Sequence, residues 1–345
     1  MAGYTCRHGG ARLAVVVVVL VVCASVAVLV PAIQRNRENA RRQVCMSNLE
    51  QWGKAIWLYE SAHRRLPMAS TVTRDDEGRI TAVDGWSFRV ALLPYLDDAP
   101  QFAPDIDHGR PLVEPADADG TPHANALKSS FPLLICPSYR GSPYADPQTK
   151  LQAISNYKAM GATHHESLSV ASPQPLKPKY GPVERHPDGA FVPGTAIKWG
   201  GVRDGTAYTI GLVETVEPQI ARWTVGAEAT LVGLSPDVEF CTTRPVGLTF
   251  YCPKSYRPGW GDENPDAAKY HTYLNWDYEQ EPYDGADGVK GGKFGPGSHH
   301  EGRVYHWYLD GTVRSLPQNL DVSLYMFMIT RDGHDPASEY LLCPD

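Results

Sequence analysis

Three histidines close together near the carboxyl end, His299, His300 and His306, followed by Asp310 and Gly311, are by type the residues of this chain best suited to chemistry. Imidazoles in that number can hold a hydrolytic metal ion. A His–Asp pair can move a proton, provided that the side chains converge and a nucleophile stands beside them. The spacing argues for less. Nine residues separate His300 from Asp310, too many for a local hydrogen bond unless a hairpin folds one across the other. Asp-Gly between two strand-like runs, 304–309 and 312–316, is itself a two-residue hairpin signal, because glycine accepts positive φ and aspartate tolerates it. No G-x-S-x-G elbow, phosphate loop or HExxH helix occurs. The expectation is a structural role for His300, Asp310 and Gly311, and a protein that is not an enzyme.

Other groups offer metal or redox chemistry. His164 and His165 precede Glu166, but neighbours on an extended chain point to opposite faces and do not share an ion easily. Asp284 and Asp287, within the Gly-rich run 284–288, are calcium candidates by ligand type; they lack the regular twelve-residue spacing of an EF-hand, and a solvated turn is the favoured reading. Cys45, Cys136, Cys241, Cys252 and Cys343 are widely spaced, with no CxxC, and do not resemble a zinc site. Disulfides in an oxidising compartment and buried free thiols are equally good readings. Cys241 and Cys252 are close enough in sequence to close a local loop.

The elements that position these residues begin with an anchor. Residues 13–33, LAVVVVVLVVCASVAVLVPAI, carry no charge and are apolar all round, long enough to cross a bilayer as a helix. A cleaved secretory signal would have a shorter apolar region and an abrupt change of character after it. Here the helical pattern continues through residues 34–63. Cys45, Leu49, Trp52, Ile56 and Tyr59 recur at alternating steps of four and three, which predicts an apolar stripe lying on a folded domain, with Pro67 as a stop. The rod would be about fifty residues and roughly 75 Å long.

Charge divides the chain. Residues 1–65 hold nine Lys/Arg and three Glu, and the rest holds 23 basic and 36 acidic side chains. An acidic outer domain argues against a nucleic-acid partner. The 31 Gly and 29 Pro are spread along 345 residues, as in a loop-rich β-containing domain. Arg35, Arg37, Arg41 and Arg42 after the apolar run outnumber Arg7 and Arg12 before it, which by count alone favours a cytoplasmic carboxyl side, whereas the disulfide reading favours an oxidising one.

The stem PAIQRNRENARRQVCMSNLEQWGKAIWLYESAHRRLP resembles that of the DUF1559 family of prepilin-like bacterial proteins. Matching positions include Pro31, Gln34, Arg37, Glu38, Arg41, Arg42, Cys45, Asn48, Leu49, Gly53, Tyr59 and Pro67, and His300 with Asp310-Gly311 reproduces that family's closing H-x9-DG motif. GWSFRVALLPYL, LICPS, Ser155-Asn156-Tyr157 and VRDGTAYTIGLVE look like family blocks in family order. The resemblance implies that the blocks carrying Cys45 and Cys136 come together, and with them a disulfide. It also places Gly9 or Gly10 at a prepilin cleavage point. There the chain departs from the pilin pattern: the glutamate position falls near Ala14, and Arg12 stands where an apolar residue is usual.

The expected organisation is a short leader or cytoplasmic segment (1–12), a transmembrane helix (13–33), an amphipathic stem (34–66) and an extracytoplasmic domain (67–345). The expected fold is α+β and pilin-like, a long amino-terminal helix packed on an antiparallel sheet with long loops. Within the domain the pattern predicts a polar hairpin or loop over 69–84, a short helix over 86–96 with Trp86, Val90 and Leu93 inward, strands over 133–136, 155–162 and 208–213, and a last helix over 321–330. The implied function is a membrane-anchored pseudopilin-like surface or periplasmic protein, partnered by lipid and other pilin-like subunits, related to type II secretion or type IV pilus systems. The alternative is a membrane-tethered binding module for a solute, glycan or polypeptide, with 8 Trp and 18 Tyr available to line a site.

Overall fold

An apolar run followed by a stem of good helix formers leaves the backbone no reason to break, and the computed structural model folds both as one helix, α1, from His8 to His63 (56 residues, with Pro31 inside). The structure describes residues 8–97, 106, 127–163, 188–218, 221–233, 238–242, 249–253, 295–300, 302–317, 320 and 322–332, with the side chains of 8–14, 238–242, 249–253, 322 and 323 left aside. The helix changes character along its length. Every side chain from Val15 to Arg37 is exposed, whereas Cys45, Leu49, Trp52 and Ile56 are buried and Tyr59 packs against the same core. Arg64 adopts φ 59° and its N–H reaches Glu60 O at 2.6 Å, ending the helix before Pro67.

The chain then turns through a small hairpin, β1 (Thr73–Arg74) with β2 (Ile80–Ala82), whose turn has Gly78 at φ 79°. Helix α2 (Phe88–Leu92) follows and tightens into a 3-10 turn over Leu93–Tyr95, with Pro94 inside it. Trp86, Val90 and Leu93 are buried as expected. Arg89, fully buried, donates to Tyr157 O at 2.9 Å and Trp223 O at 3.3 Å, tying this segment to the sheet.

The main sheet holds β3 (Tyr157–Ala162), β4 (Ile210–Glu214), β5 (Thr230–Val232), β8 (Arg303–Tyr308) and β9 (Val313–Pro317), in the order β5-β3-β4-β8-β9. A separate pair, β6 (Val238–Thr242) and β7 (Thr249–Pro253), lies between β5 and β8 in the chain. The pairs β3-β4, β4-β8 and β8-β9 are antiparallel, and β5 joins β3 in parallel, so the sheet is mixed. β3 thus has an antiparallel neighbour, β4, on one edge and a parallel one, β5, on the other.

Alternation along the strands divides the interior. Tyr157, Ala159, Leu212, Tyr305 and Trp307 pack with Leu49, Trp52 and Ile56 of α1. Met160, Ile210, Val304 and Tyr308 pack with Tyr325–Ile329, at and after the end of α3 (Val322–Phe327). The sheet is therefore covered by a helix on each face. The sheet presses closely on α1 at Trp307: a Cβ on Gly53 would lie 2.1 Å from the indole nitrogen, and one on Gly211 2.6 Å from the indole ring. Besides the parallel β5 in a sheet expected to be antiparallel, one segment differs from the sequence pattern. Residues 132–134 form a 3-10 turn in place of a strand, because Pro132 starts the turn and the carbonyls of this segment face the stem. Leu133 O accepts from Trp52 Nε1 at 3.1 Å, and Pro132 O and Ile135 O accept from Asn48 Nδ2 at 3.2 and 3.4 Å.

Candidate functional site

The buried face of α1 carries more than apolar residues. Glu38 and Cys45 are seven residues apart, two helical turns, and so share one face. Cys45 is joined to Cys136 by a disulfide closing across 91 residues of sequence, with Cα atoms 5.1 Å apart. The partner segment is held in place by the sheet. Cys136 N donates to Asn156 Oδ1 at 3.1 Å, Asn156 Nδ2 donates to Thr215 O at 3.2 Å, and Thr215 N returns to Asn156 O at 2.7 Å. Tyr157 OH accepts from Asn48 Nδ2 at 3.2 Å. Asn48, the 134–138 segment and Ser155-Asn156-Tyr157 thus meet in one lattice of hydrogen bonds.

His300 arrives at this point from the other end of the chain. Gly297 N donates to Glu214 O at 3.0 Å and His300 N to Ser298 Oγ at 3.1 Å, which fixes the approach to β8. The buried imidazole places Nδ1 2.6 Å from Glu38 Oε1 and Nε2 3.4 Å from Cys136 Sγ, with Glu214 Oε1 at 3.8 Å from Nε2. Glu38 also accepts from Ser138 Oγ at 3.1 Å and faces Arg42 at 3.6 Å and Arg41 at 3.8 Å. Glu214 Oε2 accepts from Tyr305 N at 3.1 Å, while Glu214 Oε1, buried, has no hydrogen-bond partner among the described residues.

The charges follow from these contacts. Burial alone would raise Glu38, but hydrogen bonds from His300 and Ser138 and the Arg42 cation hold its carboxyl below the usual range. Burial pushes the His300 imidazole down against the pull of Glu38. The acceptor on Nδ1 then leaves the lone pair of a neutral ring on Nε2, facing sulfur. Burial pushes Glu214 up to about 8, opposed by hydrogen bonds from the Tyr305 N–H and the Ser298 side chain. Four potential ligand atoms, from Cys45, Cys136, Glu214 and His300, lie within 4.8 Å of one another.

The other histidines do not join this cluster. His299 packs on the Tyr139 ring at 5.5 Å. His306 sits on the opposite face of β8, its Nδ1 on Val304 O at 3.0 Å and its Nε2 on Tyr325 OH at 2.9 Å. His300 lies ahead of β8, beyond Gly302 at φ 67°, and meets Glu38 and Cys136 on the stem side, whereas His306 meets Tyr325 on the other, so these three histidines do not form a metal site. Asp310 stands beyond the other end of β8, about 20 Å of strand away by rise alone. It accepts from Thr312 N at 2.9 Å and Oγ1 at 2.7 Å, and from Arg314 Nη2 at 3.2 Å. Gly311 takes φ 91°, and a Cβ there would lie 2.2 Å from the Trp57 ring. Trp57 Nε1 donates to Leu309 O at 3.1 Å. Each end of the H-x9-DG segment therefore grips α1 at a different height, His300 at Glu38 and the Asp-Gly turn at Trp57.

Gly9 and Gly10 lie in the first turn of α1. The register of β6 and β7 sets Cys241 opposite Phe250 and Cys252 opposite Glu239, and the bonding of these two thiols lies outside the described residues. The calcium candidates Asp284 and Asp287, the histidines at 164 and 165, and Cys343 also lie outside them.

Glu38 and Glu214 are the site residues that spacing did not single out. Glu38 carried a local signal, a carboxylate on the face of the buried stripe. Glu214 ended a predicted strand, where an acid reads as solvated. No curated protein and no solved structure matches the chain. A family profile described as a protein of unknown function (DUF1559) matches residues 34–323, beginning at the stem just after the apolar run and ending in α3. Stem, disulfide segment, strands and closing motif all fall within it, and the chain belongs to the DUF1559 family.

Proposed function

We propose that this chain is a non-enzymatic, membrane-anchored, pseudopilin-like protein of the periplasm or cell surface, a component or client of a type II secretion or type IV pilus-like assembly. Its amino terminus lies in the cytoplasm and its acidic domain outside. The observation that carries this reading is the division of α1. Its inner half is apolar and, from Val15 on, exposed among the described residues, while its outer half is built into the domain core without a joint. A helix of 56 residues is about 84 Å long, and a bilayer core takes about 30 Å of it. The disulfide supports an oxidising compartment for the domain. The closing motif supports a scaffold in place of a catalyst, since its His meets the stem at Glu38 and its Asp-Gly turn meets it at Trp57.

The test is the mass of the mature amino-terminal peptide from isolated membranes. The expected terminus is Gly10 or Ala11, methylated, in the membrane fraction. An intact Met1 or Ala2 in that fraction would defeat the assembly reading and leave a fixed tether. A soluble product lacking the whole apolar run would defeat the anchor itself.

A further inference from the structure

The cluster at the head of the stem has a ligand set that a scaffold does not need. Two sulfurs, an imidazole nitrogen and a carboxylate oxygen, all buried, lie within 4.8 Å of one another, which is the composition and compactness of a tetrahedral zinc site. Two further observations point to a ligand. His300 is held by Glu38 through Nδ1, at 2.6 Å, so that Nε2 is turned toward Cys136 Sγ, the carboxylate–histidine arrangement that orients a metal-binding ring. Glu214 Oε1 is buried, lacks a hydrogen-bond partner among the described residues and lies 3.8 Å from that nitrogen. An orphaned buried carboxylate oxygen is costly and calls for a partner.

We infer that Cys45, Cys136, His300 and Glu214 form a redox-gated zinc site: closed while the disulfide stands, and able to take one Zn²⁺ when it is reduced. Reduction by a dithiol breaks the Sγ–Sγ bond. Two electrons pass to the sulfurs, the dithiol supplies two protons to make two thiols, and it closes to its own disulfide. Zn²⁺ then displaces the two thiol protons and any proton on Glu214 to solvent, and the thiolates separate to about 3.8 Å, the spacing that Zn–S bonds of about 2.3 Å require. Two thiolates and one carboxylate leave the metal centre with a single negative charge. Arg41 and Arg42, beside Glu38, balance this charge together with that of Glu38. With four protein ligands the ion has no open position, so the site is structural and joins stem to sheet in place of the disulfide.

The test uses the full chain in detergent micelles under anaerobic conditions. A phosphine reductant, which takes oxygen from water as it is oxidised and competes little for metal, is added with Zn²⁺, and bound zinc is measured after desalting. One equivalent per reduced chain is expected, and none on the oxidised chain. Cobalt in place of zinc should give thiolate-to-cobalt charge-transfer absorption. Glu214→Gln and His300→Ala should each weaken zinc by about tenfold or more, and Glu38→Gln by about tenfold with the thiolate band retained, the signature of a positioning residue. As a measurement independent of how the variants fold, zinc should protect Cys45 and Cys136 of the reduced wild-type chain from alkylation. Substoichiometric zinc on the reduced chain, cobalt spectra without a thiolate band, or equal alkylation with and without zinc would each overturn the proposal.

Discussion

Gly53 has no side chain because Trp307 fills the space one would need. The neighbour is a rigid indole buried between α1 and β4, not the end of a flexible chain, so a methyl group 2.1 Å from its nitrogen forces the helix off the sheet. Gly53→Ala should therefore lower stability by about 2 kcal/mol or more despite its better helix propensity, read as a drop of several degrees in thermal midpoint. Gly200→Ala, with nothing within 4 Å, should stay within about 0.5 kcal/mol. His306 gives a pH test at the same scale. Burial pushes its imidazole down to about 3, against the favourable Val304 carbonyl, with Nε2 2.9 Å from Tyr325 OH. The unfolded chain takes up a proton near pH 6.5 and the folded chain does not. Stability is thus fully present above about 6.5 and is lost as pH falls toward 3, on the order of several kcal/mol across the window. His306→Gln should flatten that part of the curve of thermal midpoint against pH. An unchanged slope would mean that another group controls acid unfolding.

At the scale of elements, α1 is two helices in one. Leu49 is fully buried among sheet residues, and Leu49→Ala should cost about 2–5 kcal/mol, whereas Leu20→Ala, in the exposed half, should leave the unfolding of the domain unchanged by calorimetry. This division was legible in the sequence, because a period of 3.6 needs only a window of neighbours to show itself. So were α2, the hairpins and the strands β3, β4, β8 and β9, whose apolar alternation is bounded by turn residues. What was not legible depended on distant partners. Glu38 reads as an ordinary charge on a helix until His300, 262 residues away in sequence, is brought to it. The run at 133–136 is apolar like a strand, but its carbonyls are claimed by Asn48 and Trp52, and a local pattern does not show where a backbone hydrogen bond will go. The parallel placement of β5 follows from a crossover, a property of chain order that periodicity does not carry.

For the whole molecule, the question is whether anchor and domain depend on each other. Among the described residues, every side chain from Val15 to Ile33 is exposed and outside both cores, and the stem reaches the domain by side-chain hydrogen bond at Glu38. A chain beginning at Gln34 should therefore fold, stay in solution and unfold with a free energy within about 1 kcal/mol of the intact chain in detergent. The intact chain should resist extraction from membranes by high salt or alkaline carbonate, since its apolar segment exceeds the roughly 20 residues a bilayer requires. The lower limit of the cut is as informative. A chain beginning at Ser47 loses Glu38 and Cys45 together, so His300 keeps a buried ring with no acceptor on Nδ1 and Cys136 loses its bridge. Its unfolding midpoint should fall by many degrees, although only thirteen further residues have been removed. If both truncations were equally stable, the stem would be a spacer, and the convergence of helix, disulfide and closing motif on Glu38 would have no mechanical role.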